Sequence, residues 1–187
     1  MMSVSLAAAK QELRQRMLRK LGGLSQETKA QAEDLLKDRL SEHYAFKRAQ
    51  TVMMYMAMSL ELSLSSCIQM AWDAGKMVVL PRVNGKDLEI CRVSNLEGDL
   101  QVGAYNVLEP RQHCDVVQSD DIDLVFVPGV AFDRLGARLG RGKGFYDRLL
   151  NNLPETCLTI GICFKAQLLK SIPYGPNDVC VREIIAV

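Results

Sequence analysis

Val52-Met-Met-Tyr-Met-Ala-Met58, the helically spaced Leu64 to Ala74, Gly75, and then Met77-Val-Val-Leu80 carry the fold in their order. An unbroken apolar run of strand length predicts a strand buried on both faces, since a strand with one face in water would alternate. A helix closed by glycine and a second apolar run, stopped by Pro81, complete strand, helix, strand, the unit of a parallel sheet. Leu88 to Val93 reads as a shorter strand. Leu124 to Val127, bounded by Pro128-Gly129, reads as a fully buried one, and Cys157 to Cys163 as another, with a helix from about Gly144 to Leu153 between them. Ahead of the sheet, Ala7 to Leu21, closed by Gly22-Gly23, and Gln26 to Glu42, capped by Ser25, predict two helices. The alternation predicts an α/β fold in which helices cover both faces of a mostly parallel sheet.

The length, 187 residues, suits one domain over 1–187, and 48% hydrophobic with 24% charged positions excludes a disordered or fibrous chain. Lys+Arg 23 against Asp+Glu 22 leaves a net charge of +1, so no global field draws the chain onto nucleic acid or an anionic membrane. The apolar runs fall far short of the roughly 18 residues that a membrane span needs. The six cysteines form no C-x-x-C pair and no metal-like pattern with His43 and His113, which stand far apart and alone, so no metal cluster is expected, and Cys67, Cys157 and Cys163, in apolar stretches, are expected to be reduced and buried. That favours a cytoplasmic address. Residues 1–20 set Lys10, Arg14, Arg16, Arg19 and Lys20 against Glu12 on a helical pattern, the weak outline of a mitochondrial leader, which Glu12 and the shortage of serine oppose.

Chemistry concentrates in Arg134-Leu-Gly-Ala-Arg-Leu-Gly-Arg-Gly-Lys-Gly-Phe-Tyr-Asp-Arg148, which holds four glycines and five basic residues in an otherwise neutral chain. Glycines let backbone N–H groups approach an anion, a helix beginning near Gly144 adds its positive end, and Arg138, Arg141 and Lys143 supply charge-assisted donors. Polyphosphate binding is the physical inference, against the plainer reading of a solvated turn with incidental charge. The P-loop pattern fails, because Ala137 stands where its first glycine belongs and Gly144 where a hydroxyl should follow Lys143. The dinucleotide fingerprint fails on spacing, and the loop lies about a dozen residues after its strand.

Two further signals accompany the loop. Leu6, Leu13, Met17 and Leu21 form one stripe of the first helix, with Lys10 inside it and Arg14 at its edge, so Lys10 either snorkels to water or meets an anion. Glu61 lies just past the first strand, at the sheet edge where open parallel sheets take ligands and where the Pro128-Gly129 loop also emerges; alone it would read as a solvated loop carboxylate.

Taken together, Lys10-x-x-x-Arg14, Met56, Glu61, Leu80-Pro81-Arg82, Glu109-Pro110, Pro128 to Asp133, Arg138-Leu-Gly-Arg-Gly-Lys-Gly-Phe-Tyr-Asp147 and Asn177-Asp178 resemble the 5-formyltetrahydrofolate cyclo-ligase family over nearly the whole chain. The resemblance implies a three-layer α/β sandwich related to sugar-phosphate isomerases and CoA transferases. It also implies ATP-dependent cyclisation of 5-formyltetrahydrofolate to 5,10-methenyltetrahydrofolate. Separately, the neutral charge balance and short apolar runs lead to the expectation of a chain without nucleic acid or membrane partners, and a monomer is expected. ATP would be held by Lys10, Arg14, Arg138, Leu139, Gly140, Arg141, Gly142, Lys143, Gly144, Phe145 and Tyr146, with Arg141 and Lys143 serving catalysis. The folate would meet Met56, Glu61 and Arg141 to Phe145, and Mg²⁺ would sit near Asp147 and Asp178. The chain departs from the family pattern at Leu60, Leu64 and Phe145. If Lys10 and Arg14 work in the mature protein, the leader reading falls. A non-catalytic folate- or nucleotide-binding module is the alternative, and an RNA-binding domain a weaker one, since Phe145 and Tyr146 are the only aromatics beside the loop.

Overall fold

The computed structural model describes residues 5–187. The chain runs α1 (Leu6–Gly22), α2 (Gln26–Glu42), α3 (Tyr44–Arg48), β1 (Thr51–Met53), α4 (Ser65–Asp73), β2 (Met77–Asn84), β3 (Asp87–Val93), β4 (Leu100–Val102), β5 (Leu108–Pro110), β6 (Leu124–Val127), β7 (Ala131–Asp133), β8 (Arg138–Leu139), α5 (Phe145–Asn151), β9 (Leu158–Cys163), β10 (Leu168–Leu169) and β11 (Glu183–Ala186). The main sheet has the order β11-β9-β6-β1-β2-β3, parallel except for the antiparallel edge strand β3. A small sheet, β10-β7-β8, and the β4-β5 ribbon complete it.

The apolar strands alternate between two cores, as a doubly covered sheet requires. Val52, Val78, Leu124, Phe126, Ile160 and Ile162 meet Leu36 and Leu40 of α2, Phe46 of α3 and Ile68 of α4 on one side. Met53, Val79, Val125, Val127 and Cys163 meet Leu149 and Leu150 of α5 and Phe132 of β7 on the other. Helix α1 lays Leu13 and Met17 on Val130, Ala131 and Leu139 of the small sheet, so the first helix leans on the segment that leads into the glycine loop. Ser5 and Ser25 cap α1 and α2 by accepting the N–H groups of Ala8 (3.2 Å) and Thr28 (3.1 Å). Leu6, expected in the buried stripe, is 41% exposed, because it lies a turn before the helix reaches the small sheet. Of the leader reading over 1–20, the first four residues lie outside those described.

Three expectations need correction. The run from Val52 to Met58 is strand only at its start: the Met54 N–H still donates to the Val79 carbonyl (3.0 Å), after which Met54 and Tyr55 stay buried in the core without sheet pairing. An apolar run reports burial, which loops can share. Pro81 does not stop β2, which continues to Asn84 with Pro81 opposite Ile90 of β3. With the tight turn closing between Asn84 and Asp87, the antiparallel alternation points the backbone nitrogens of residues 81 and 83 away from β3. The Val83 N–H on that side goes to the Glu109 carboxylate (3.3 Å), and β1 has ended, so proline removes a donor that has no strand partner to lose. The histidines are not alone, since His43 lies 3.1 Å from Glu183 and His113 3.3 Å from Asp99, though they do not meet each other. Asp99, His113 and Cys114 bring three potential ligand atoms within 4.8 Å of one another, against the expectation of no such cluster. The Asp99 carboxylate also accepts the N–H groups of Ser94 and Asn95 and is pulled down to about 2 mainly by those bonds, which gives it a structural task as a loop staple.

The small sheet has no counterpart in the sequence reading. Asp133 makes it possible: its Oδ1 accepts the N–H groups of Leu135 (3.0 Å) and Ala137 (3.2 Å), and Gly136 takes a φ of +89°, so the chain reverses tightly between β7 and β8. The glycine loop therefore starts at the end of β8 rather than hanging far beyond its strand.

All six cysteines are free, five of them buried and Cys180 exposed. Burial pushes the thiols of Cys67, Cys91 and Cys157 up to about 11 and that of Cys163 up to about 12. Iodoacetamide at pH 8 should therefore alkylate Cys180 first and reach those four only on unfolding, as peptide mass mapping before and after denaturant would show.

Candidate active site

A cleft of about 870 Å³ opens at the carboxyl edge of β1 and β6, a volume suited to sizeable ligands. Its lining brings together every predicted site residue: Lys10 and Arg14 from α1, Met56 and Glu61 from the β1–α4 loop, Arg138 through Asp147, and Asp178. Of the departures from the family pattern, Phe145 lines the cleft, whereas Leu64 is buried in the core and Leu60 packs against it.

The loop between β8 and α5 is shaped by glycines in the left-handed region, Gly142 (φ +100°) and Gly144 (φ +70°), which side chains seldom enter. Helix α1 clamps it: Arg14 Nε donates to the Gly140 carbonyl (2.8 Å), and a Cβ on Gly142 would lie 3.5 Å from the Arg14 guanidinium. Arg148 braces the far side, bonding the Lys143 carbonyl (3.2 Å) and Asp87 (2.8 Å).

Electrostatically the cleft is built from three ion pairs. Lys10 pairs with Asp178, Arg138 with Asp147 (2.8 Å) and Arg141 with Glu61 (3.0 Å). Lys10 thus meets an anion from its own chain. Lys143 pairs with no carboxylate among the described residues; its ammonium stands 6.0 Å from the Tyr105 ring. Two buried polar atoms have no partner, Arg138 Nε and Tyr146 Oη, and burial pushes the Tyr146 phenol well above its ordinary range, so it stays a protonated donor. Unpartnered buried donors are costly unless a ligand uses them.

The two aspartates are close through the chain, since Asp147 Oδ1 also accepts the Val179 N–H (3.3 Å), next to Asp178. Each keeps one oxygen without a hydrogen-bond partner: Asp147 spends Oδ1 on Arg138 and Val179, and Asp178 spends Oδ2 on Lys10 and Gly175. Two hard oxygen donors in one cleft fit a divalent cation such as Mg²⁺.

Sequence reasoning assigned no role to the wall formed by Tyr105 and Glu109. Tyr105 and Asn106 both take positive φ (58° and 59°), and Tyr105 meets the Phe145 ring edge-on with centroids 6.2 Å apart. Glu109-Pro110 was visible as a motif, but its neighbours come from strands remote in the chain.

The model of the 5-formyltetrahydrofolate cyclo-ligase family matches residues 6–187. The mouse protein named 5-formyltetrahydrofolate cyclo-ligase is 26% identical, covering 99% of this chain and 97% of its own length. An Arabidopsis thaliana protein named as the mitochondrial cyclo-ligase is 35% identical over 59% of this chain and 47% of its own. The solved structure of Aquifex aeolicus 5,10-methenyltetrahydrofolate synthetase superposes with a TM-score of 0.85 at 32% identity, covering 95% of this chain and 89% of that one.

The pairing of Lys10 with Asp178 makes a prediction about anions. Asp178→Asn should bind inorganic tripolyphosphate about fivefold more tightly than the wild type when metal is absent, because one nearby negative charge is gone. Calorimetry at low ionic strength measures this, and a weaker or unchanged affinity would separate Lys10 from the anion site.

Proposed function

The chain belongs to the 5-formyltetrahydrofolate cyclo-ligase family, and we propose that its cleft uses ATP to close 5-formyltetrahydrofolate into 5,10-methenyltetrahydrofolate, releasing ADP and phosphate. The observation that carries this reading is the meeting of the glycine loop with three ion pairs in one cleft. The formyl oxygen on N5 attacks the γ-phosphorus and ADP leaves, giving a phosphorylated imidate. N10 then attacks the formyl carbon and loses its proton, and the carbon–oxygen bond breaks as phosphate departs with the oxygen. The oxygen of the formyl group, otherwise a poor leaving group, is thereby removed at the expense of ATP.

Phosphoryl transfer asks the protein mainly for positioning and charge neutralisation. Lys10, Arg14 and Arg138 bind the triphosphate in this reading, with the backbone from Leu139 to Tyr146 curved around it. Arg141 and Lys143, exposed at the loop's crest, meet the group in transfer. Tyr146 Oη and Arg138 Nε offer the donors that the protein leaves unused. Glu61, acceptor-only when ionised, suits the N–H groups of the pterin once Arg141 turns to phosphate, and Met56 supports the ring. Asp147 and Asp178 would hold Mg²⁺, which would supply neutralisation of the triphosphate's charge. We further propose that the chain acts as a single-domain monomer in the cytoplasm; none of its described helices is long and apolar enough to cross a membrane.

Arg141→Ala and Lys143→Ala should each lower kcat roughly a hundred- to a thousandfold with Mg-ATP and 5-formyltetrahydrofolate, the size expected for losing one donor to transition-state charge. The product's near-ultraviolet absorbance follows the reaction. Unchanged turnover in both would take the loop out of the chemistry, and binding of both substrates without phosphate release would make the protein a binding module.

A further inference from the structure

Four carboxylates line the cleft, and three have cations: Glu61, Asp147 and Asp178. The fourth, Glu109 on β5, has none among the described residues, although it is only 8% exposed. Among the described residues its one hydrogen bond comes from the Val83 N–H to Oε2 at 3.3 Å, a long one, while Oε1 has no partner and, not being fully buried, opens to the cleft that Glu109 lines. The nearest strand arginine, Arg82, is spent on Glu89 (2.8 Å) and on the Arg111 carbonyl (2.6 Å). Burying a carboxylate without a counter-ion is expensive, and protein folds seldom do so unless something donates to it.

The surroundings are built to hold that carboxylate in place. Gly103 packs directly against it, where a Cβ would collide with the carboxylate oxygen, and the Gly103 N–H closes the turn by bonding the Val107 carbonyl (2.8 Å). Within that turn the left-handed Tyr105 meets Phe145 edge-on, and Pro81, Val83, Leu88 and Val107 supply apolar walls. The phosphate end of the cleft gathers Lys10, Arg14, Arg138, Asp147 and Asp178 instead. The result is a slot with aromatic and aliphatic walls and a single acceptor group without a counter-ion.

We propose that Glu109 is a substrate-binding residue that accepts the two adjacent N–H donors, ring N3–H and the 2-amino group, of the folate's 2-amino-4-oxopyrimidine ring. The proposal rests on the cyclo-ligase reading and names which edge of that substrate the buried carboxylate reads. Adenine is the poorer match, because its exocyclic amine stands beside ring acceptors and cannot present two neighbouring donors to a carboxylate. Glu61, released when Arg141 turns to phosphate, serves the pterin N–H groups nearer the reacting nitrogens, while Glu109 fixes the far edge of the ring.

Calorimetry without turnover tests the assignment, using 5-formyltetrahydrofolate, a non-hydrolysable ATP analogue with Mg²⁺, and a 2-desamino-2-methyl analogue of the folate. Glu109→Gln keeps the shape and one acceptor, and it should weaken 5-formyltetrahydrofolate about 10- to 100-fold, as expected for hydrogen bonds to a charged group, while leaving the nucleotide unchanged. Wild type should reject the desamino analogue by a similar factor, and the variant should lose that discrimination, which a purely structural role would not move. Unchanged folate affinity in a variant of unchanged melting temperature would overturn the proposal, as would a loss confined to the nucleotide. If the variant fails to fold, wild-type discrimination against the analogue decides alone, and its absence counts against Glu109. Should the wild type bind neither folate nor nucleotide, the cyclo-ligase reading falls; should it bind both without reading the 2-amino group, only the role of Glu109 falls.

Discussion

The ion pair between buried Arg138 and half-buried Asp147 closes the glycine loop at its base. Arg138 leaves the short strand β8 and Asp147 sits in the first turn of α5, so the 2.8 Å contact between them ties the loop's two ends together. Arg138 is 5% exposed, and removing Asp147 would leave its charge buried and unpaired, worth about 3–5 kcal/mol of destabilisation. A loop rich in glycine has much backbone freedom to lose on ordering. Pinning both ends reduces the span that the crest, from Gly140 to Gly144, must keep in shape. Arg14 from α1 then holds one side of that span and Arg148 from α5 the other. The anion site thus depends on the first helix, the small sheet and α5 docking together, although they are far apart in the chain.

How much of this was legible in the sequence depends on the range of the forces involved. Doubly buried strands announce themselves through runs such as Leu124 to Val127, the first helix through its apolar stripe and the second through its Ser25 cap, because each signal is local. The strand bounds were harder. Met54 and Tyr55 are as buried as β1 itself, yet they lie outside the sheet, and Pro81 looked like a terminator until the direction of its nitrogen was fixed by pairing with β3. Strands β7, β8 and β10, only two or three residues each, carry no periodicity to read. For the site, the charged residues singled out in the sequence all converge on the cleft, whereas their mutual pairing was not legible, since Lys10 and Asp178 are 168 positions apart. Tyr105 and Glu109 escaped assignment because a strained turn and a missing counter-ion are properties of packing.

The same charges that would bind the ligands cancel one another in the protein alone. In each of the three pairs, a cation suited to phosphate faces a carboxylate suited to metal or pterin. Pairing lowers the cost of holding these six charges in a partly buried cleft, while Arg14 and Lys143, which face no carboxylate among the described residues, leave its lining net positive. It also means that the substrates recruit opposite halves of the two pairs outside the loop's base: phosphate drawing Lys10 and Arg141 away leaves Asp178 for a cation and Glu61 for the pterin, while Arg138 stays on Asp147. A ligand that breaks a pair bears its cost, and the next ligand finds its own half already released, which is positive coupling in the thermodynamic sense.

Glu109 stands outside that exchange. Holding no cation in the protein alone, it has none to surrender, so a neutral ring can dock there whether or not the phosphate end is filled. The cleft then divides its labour by charge state. One end stores paired charges and rearranges them for a triphosphate; the other keeps a single acceptor beneath aromatic walls, ready for a planar donor edge. Chemistry between two substrates needs their reacting atoms held in near-contact, and two anchors of different kind in one cleft let each substrate find its own without competing for the other's.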